Sequence, residues 1–433
     1  MTSPTTSGGV GSARLDAGVR SVYVHAPFCT RRCQYCDFAV QVRRTADHRG
    51  WLDALGRERA LLEAEGRFQL AGRLETLYVG GGTPSLFPPE AMGGLAEVLG
   101  RDRLRSPDLE WTAEANPESF TARTASEWRS AGVTRVSLGV QSFHEPALRW
   151  MGRLHGPDGA YRAIRSATRA GFDEISVDLI FGLPDLTERS WSEDLDRVID
   201  LGVPHVSLYG LTVESGTALG RAVADGRVEL PAEDRYGEEY LEAAERLEAS
   251  GWVHYEVSNF ARPGHESRHN RVYWEGGAYV GLGNGAHGYV HPVRRWNLRD
   301  WDAYESALRS GRLPVEDEEV LDGQAHRLER LWLDLRTRRG IPLSSLGSRA
   351  RDLVESWVAG GLATASDSVR LTAAGWLVMD RLTVELDACF PEALDATHRP
   401  PPELPRRGPL GEATLDAVSP GRRSSRDSGN VHT

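Results

Sequence analysis

Ser21-Val-Tyr-Val-His-Ala-Pro-Phe-Cys29-Thr-Arg-Arg-Cys33-Gln-Tyr-Cys36-Asp-Phe38 runs from a β-branched, strand-like segment straight into three cysteines spaced C-x3-C-x2-C. Only one other cysteine, Cys389, occurs in the 433 residues. Three clustered thiols and one remote thiol make no disulfide framework, so the cluster reads as metal-binding or redox-active. Two metal readings fit these residues. A structural zinc site would take His25 as its fourth ligand, because zinc favours four Cys or His donors. A cubane iron–sulfur cluster on three thiolates would leave one iron without a protein ligand, open to a substrate or cofactor. The lack of a second CxxC or CxxH knuckle favours the cluster.

Outward from this loop, short β-branched runs alternate with longer amphipathic segments, the pattern of βα units around a parallel sheet. Strands are expected over 21–25, 75–79, 109–114, 135–139, 174–180 and 205–209. Helices are expected over 49–65, 121–131, 159–170, 187–201 and 232–249. Such a series makes either an open doubly wound sheet or a partial barrel. Polar motifs follow strand after strand: the cysteines, then Gly80-Gly-Gly-Thr-Pro-Ser85, Glu114-Ala-Asn-Pro117, Gln141, and Asp178 near the end of the fifth. Residues at the C-terminal ends of successive strands converge in a barrel, where active sites are built from βα loops. The expected fold class is therefore α/β, with a partial (β/α)6 barrel over residues 20–255.

Residues 256–310 are Gly-, His- and aromatic-rich and read as an extension of that core. An acidic run, Glu316-Asp-Glu-Glu319, opens residues 311–392, where helix, helix, hairpin-like segment and helix suggest a C-terminal α-rich, winged-helix-like domain. Residues 1–19 and 393–433 have polar or Pro/Arg/Ser/Gly-rich composition and are expected to be disordered. The net charge of −11 argues against a nucleic-acid partner. Every Lys/Arg cation is an arginine, which excludes a P-loop lysine and a lysine Schiff base. No run of about 18 apolar residues and no secretory leader is evident, so a cytoplasmic location is expected, with peripheral membrane contact left open.

The motifs taken together go further. Cys29-x3-Cys33-x2-Cys36 with Tyr35 before the last cysteine, followed by Gly80-Gly-Gly-Thr-Pro84, resembles the radical S-adenosylmethionine (SAM) superfamily. Tyr23-Val-His-Ala-Pro-Phe-Cys29, Gly139-Val-Gln-Ser-Phe143 and Asp178-Leu-Ile-Phe-Gly-Leu-Pro184 are similar to its branch containing oxygen-independent coproporphyrinogen III oxidase and the HemW-like haem chaperones. The resemblance implies a [4Fe–4S] cluster on Cys29, Cys33 and Cys36, SAM chelating the open iron, and cleavage of SAM by an electron from the cluster. By motif position, Tyr35 would lie against the adenine, and Gly81, Gly82 and Thr83 would meet the methionine end. Tyr23, Glu114, Gln141, Arg153 and Asp178 match further SAM-contacting positions. These types suit the task, because carboxylates accept from hydroxyls or an ammonium and an arginine pairs with a carboxylate.

Within that branch the oxidase carries a further cysteine two residues after the third, where this chain has Asp37-Phe38. Phenylalanine cannot replace a thiol in ligation or redox work. The HemW-like proteins show C-D-F here and a segment H-N-x-x-Y-W, matched by His269-Asn-Arg-Val-Tyr-Trp274. The resemblance therefore implies haem as cargo, with His269 as a candidate iron ligand and Tyr273 and Trp274 offering flat apolar faces to a porphyrin. His287, in a glycine-rich stretch, is a lesser candidate. The implied partners are haem, a haem-acceptor protein of which a respiratory one is an option, and an electron donor. The alternative is a radical SAM enzyme acting on a porphyrinogen.

Overall fold

The structure is a computed structural model, and it describes residues 18–390. Six parallel strands form its centre: β1 (Ser21–Ala26), β2 (Thr76–Gly81), β3 (Glu110–Ala115), β4 (Arg135–Gln141), β5 (Glu174–Phe181) and β6 (His205–Gly210). They lie side by side in chain order. A doubly wound sheet requires a reversal of strand order, and none occurs among these six. With every right-handed crossover stepping the same way, the helices collect on one face and the sheet curls around the other. This is the partial (β/α)6 barrel. Val280–Leu282 extends it parallel to β1, while Asn259–Ala261 and Val253–Glu256 add antiparallel strands beyond β6.

The strands alternate strictly. Val22, Val24, Leu77, Val79, Trp111, Val136, Leu138, Val177 and Leu208 are fully or almost fully buried and belong to the core shared with the surrounding helices. Burying such a Val or Leu side chain contributes about 1.5–3 kcal/mol. The intervening positions, among them Tyr23, Tyr78, Glu110, Glu114, Arg135, Ser137, Glu174, Asp178, His205 and Ser207, are polar and point into the barrel. A sheet with one face against helices reads as this period of two.

The crossover helices match their expected spans to within a few residues: His48–Glu65, Ala122–Ala131, Gly156–Arg169, Trp191–Leu201 and Glu233–Ala249. Helix His48–Glu65 starts at Asp47, whose side chain accepts from the Gly50 amide. It stops at Gly66, where φ is 91°, a conformation that favours glycine. A further helix, Ala91–Leu99, was not expected, because its two glycines mask the apolar face.

Polar side chains in the N-terminal half of the barrel need partners, and residues 254–274 supply them. Glu110 accepts from the backbone amides of Arg268 and His269 at 2.9 and 2.7 Å. His205 is held between Ser176 and the Tyr255 hydroxyl. Arg135 bonds to Glu174 and to the His265 carbonyl. The short helix Arg268–Trp274 thus plugs this end of the barrel.

The acidic run does not open a new unit. Val315–Val320 is a strand paired antiparallel with Val293–Asn297, in register Arg294 to Glu319 and Arg295 to Glu318. Opposite charges across the ladder explain why so acidic a stretch is a strand. After it come helix Gly323–Arg336, helix Ser348–Ala359, the paired strands Ala363–Ala365 and Ser368–Leu371, and helix Met379–Asp387. That order matches the winged-helix-like expectation. The expected disordered ends lie outside the described residues, except Gly18 and Val19; Val19 is bridged to Leu70. Among the described residues, no helix is long and apolar enough to cross a membrane.

Candidate functional site

At the C-terminal ends of the strands lies a cavity of about 280 Å³, lined by Cys29, Cys33 and Cys36. None of the three is in a disulfide, and all are partly buried. The loop that carries them is tied down from three directions. Phe28–Cys29 pairs with Gln41–Val42. Asn284 Nδ2 donates to the Ala39 carbonyl and Arg299 to the Asp37 carbonyl, at 2.9 and 2.6 Å. The Leu219 amide donates to the Gln34 carbonyl at 2.9 Å. Burial pushes the Cys29 thiol up, and a contact with the Thr83 hydroxyl opposes this.

Gly81 and Gly82 pass so close to β1 that no side chain fits. A Cβ on Gly81 would sit 2.3 Å from the His25 ring, and one on Gly82 would sit 2.7 Å from the Ala26 carbonyl oxygen. Gly81 also has φ of 104°. Its amide donates to Glu114, which accepts the Tyr78 hydroxyl as well, at 3.0 and 2.7 Å. Tyr23 stacks on Tyr78 with ring centroids 6.1 Å apart.

Across the cavity, Gln141 breaks the β4–β5 ladder and takes φ of 69°, and its Oε1 is buried without a hydrogen-bond partner. A strained, unsatisfied side chain at a strand end is a mark of a binding position. Asp178 accepts from Ser137 Oγ at 3.0 Å, and burial raises its carboxyl to about 6. Arg153 donates to Asn116 Oδ1 at 2.8 Å and to the Gly139 carbonyl. Burial works against its charge, but Tyr35, Cys33 and Glu118 outweigh that and raise it. Tyr35 packs against the small apolar cluster of Ala147, Leu148, Met151, Ile180 and Leu183. Every residue expected at the cluster or at SAM therefore lines this one cavity.

The residues expected at haem divide. Tyr273 and Trp274 line the cavity from the plug side. His269 does not: its ring is fully buried, with Nδ1 at 2.7 Å from Thr76 Oγ1 and Nε2 at 2.5 Å from the Tyr273 hydroxyl. Burial lowers its pKa to about 3. As folded, neither nitrogen is presented to a haem iron, because both are spent on fixing the plug helix. His287 reaches the cavity and stacks on Trp296.

Several lining residues were given no role from the sequence, among them Tyr78, Asn116, Asn259 and Arg336. Tyr78 sits one alternation before Gly80, and Asn116 lies within the Glu114–Pro117 motif, two residues after Glu114. Asn259 and Arg336 come from distant segments, Arg336 forming a buried pair with Glu256 at 2.6 Å. His25, the fourth ligand of the zinc reading, has Nδ1 on the Tyr23 hydroxyl and Nε2 on the Ala39 carbonyl. Among the described residues, no three His, Cys, Asp or Glu side chains converge on a single-ion position. Three soft thiolate donors around one cavity, each able to meet a different iron, fit a polynuclear cluster. A guanidinium and two carboxylates opposite them fit a zwitterionic ligand with hydroxyls.

Residues 23–198 match the Radical SAM superfamily. The chain is 40% identical over 364 residues to the "Heme chaperone HemW" of Mycobacterium tuberculosis (strain H37Rv), covering 83% of this chain and 92% of that protein. It is 33% identical over 326 residues to the protein of the same name in Bacillus subtilis (strain 168), covering 75% and 85%. Among solved structures it resembles coproporphyrinogen III oxidase (HemN) from Escherichia coli, described as a radical SAM enzyme. That TM-score is 0.71 at 22% identity, covering 87% of this chain and 91% of the other, a likeness of fold.

Proposed function

The chain belongs to the radical SAM superfamily, within its HemW-type haem-chaperone family, and on that footing we propose that it binds haem and passes it to an acceptor protein. The cofactor half of this reading is carried by one observation: three thiols, two carboxylates and a buried guanidinium meet in one cavity at the strand ends. Cys29, Cys33 and Cys36 would hold a [4Fe–4S] cluster, which when bound supplies single electrons and an open iron for SAM.

The protein's own groups divide the remaining work. Arg153 pairs with the SAM carboxylate, already held at the cavity wall by Asn116 and Gly139. Glu114 and Asp178 accept from the ammonium and ribose hydroxyls. Gln141 offers its unpartnered Oε1, Tyr35 covers the adenine, and Tyr23 closes the side next to Gly81, Gly82 and Thr83. Cleavage of SAM would need an electron donor from outside the chain.

The haem half rests on the relatives' naming and on Asp37-Phe38, where the oxidase pattern has a cysteine. Tyr273 and Trp274 supply the porphyrin-facing surface. His269 stands behind them and reaches an iron only if its bonds to Thr76 and Tyr273 open. The acceptor would be a separate haem protein, a respiratory one being an option.

Anaerobically reconstituted protein tests this directly. Haem should give a saturable Soret band that disappears from the chain, and reappears in an apo-acceptor such as an apo-cytochrome b, on mixing. Tyr273→Ala with Trp274→Ala should weaken haem binding at least tenfold. Formation of protoporphyrinogen IX from coproporphyrinogen III, with SAM and a reductant, would overturn the chaperone reading in favour of the enzyme.

A further inference from the structure

One line of hydrogen bonds crosses the cavity and ends on a cysteine sulfur. Arg153 Nη2 lies 2.8 Å from Asn116 Oδ1, Asn116 Nδ2 lies 3.3 Å from Thr83 Oγ1, and Thr83 Oγ1 lies 3.4 Å from Cys29 Sγ. The direction of this line follows from valence once Cys29 ligates a cluster. A guanidinium has donors and no acceptor, so it takes the oxygen of the Asn116 amide. The amide orientation is thereby fixed, and its NH₂ must face Thr83. Asn116 then occupies one lone pair of the Thr83 hydroxyl, and because a Cys29 sulfur that ligates a cluster carries no proton, the proton between Thr83 and Cys29 belongs to Thr83. Each donor polarises the next, so the charge on Arg153 strengthens the last bond.

The start of the line is built into the backbone. Gly139 faces the guanidinium, and a Cβ there would lie 2.7 Å from Arg153 Nη2 and 3.4 Å from Asn116 Oδ1. Only glycine lets Arg153 reach both the Gly139 carbonyl and Asn116. The Asn116 amide is held as well, its backbone N–H donating to Ser85 Oγ at 3.0 Å.

We propose that Asn116 is a positioning residue that orients the Thr83 hydroxyl as a hydrogen-bond donor to the Cys29 sulfur, and so raises the reduction potential of a cluster held there. Hydrogen bonds to ligand sulfurs stabilise the more negative, reduced state and are among the determinants of iron–sulfur potentials. The inference rests on the cluster assignment made above. It adds a tuning element outside the three thiols. Arg153 also adjoins Cys33 directly, so Asn116 and Thr83, not Arg153, isolate the effect.

The test is a redox titration of the reconstituted chain, following the EPR signal of the reduced cluster, with iron and sulfide content measured on every sample. N116A, N116D and T83V should keep the wild-type iron content. At the potential where half of the wild-type cluster is reduced, their reduced-to-oxidised ratio should fall about tenfold, equal to about 59 mV for a one-electron couple. N116D is the sharpest case, because a carboxylate would draw the Thr83 proton towards itself and away from sulfur. T83S keeps the hydroxyl and should stay within about twofold of the wild-type ratio.

Wild-type potentials in both N116D and T83V, with full iron content, would overturn the proposal and leave the cluster assignment intact. A wild-type chain that takes up no iron would instead sink the cluster assignment, and the proposal with it. Should N116A lose its cluster, the T83V and T83S pair still decides: equal potentials contradict the relay, and a lowered potential in T83V alone supports it.

Discussion

The two ends of the barrel interior are both polar, and they differ in how far that polarity is satisfied. At the plugged end Glu110, Glu174, His205 and His269 find their partners in neighbouring strands or in residues 254–274, and Arg135 bonds Glu174 and the His265 carbonyl through Nη1 while its Nη2 stays buried without one. At the cavity end Gln141 is strained with a buried orphan oxygen, Arg153 Nε is buried without a hydrogen-bond partner, and Asp178 is pushed up to about 6. Buried polar groups are normally paired. The same residue types thus act as structure where the chain returns to satisfy them and as a site where it does not. Substitution should consequently cost stability at one end and binding at the other.

The largest effect belongs to the thiols. Cys29→Ser, Cys33→Ser or Cys36→Ser should each reduce iron after reconstitution to near background while leaving the thermal unfolding of the apo chain within about 2 °C, since serine is nearly isosteric with cysteine and these partly buried positions keep contact with water. Glu110→Ala is the converse case. Loss of two charge-assisted bonds to the Arg268 and His269 amides should cost about 3 kcal/mol in urea unfolding and leave SAM affinity within about twofold.

Asp178→Asn should reverse both signs. The carboxyl is raised by burial above its unfolded value of 3.8, so its stabilising contribution is fully present below that pH and is lost as pH rises through about 6. At pH 7 the variant should be about 3 kcal/mol more stable than the wild type, a gain that shrinks towards pH 4, and it should bind SAM at least tenfold more weakly. Urea unfolding between pH 4 and 7 checks the first, equilibrium dialysis the second.

His269 gives the smallest effect and the opposite slope. Its pKa is lowered by burial from 6.5 to about 3, so its contribution is present above 6.5 and is lost as pH falls through that value towards 3. His269→Gln should remove about 2 kcal/mol of that acid sensitivity at pH 5.

How much of this was legible follows from the range of the interactions. The six strands were read to within two residues, because alternation and β-branching are local, and the motifs after β1 to β5 were correctly gathered at one mouth. Tyr78 and Asn116 were legible in principle: each lies two positions from a motif residue, on the same face of its strand or on the loop beyond. The plug was not, because Glu110 meets Arg268 only after the chain has wound six times. The same return explains His269, whose H-N-x-x-Y-W pattern suggests a ligand but whose ring the fold spends on Thr76 and Tyr273. It also explains the acidic run, which is a strand only because Arg294 and Arg295 lie opposite.

The most direct test of the contrast is a SAM titration of reconstituted, reduced protein, following the EPR spectrum of the cluster in the wild type, Glu110→Ala and Asp178→Asn. SAM should change the spectra of the wild type and Glu110→Ala at the same concentration and leave Asp178→Asn unchanged there. Equal SAM responses from the two variants would contradict it, since the two ends would then not differ in what their polar residues do.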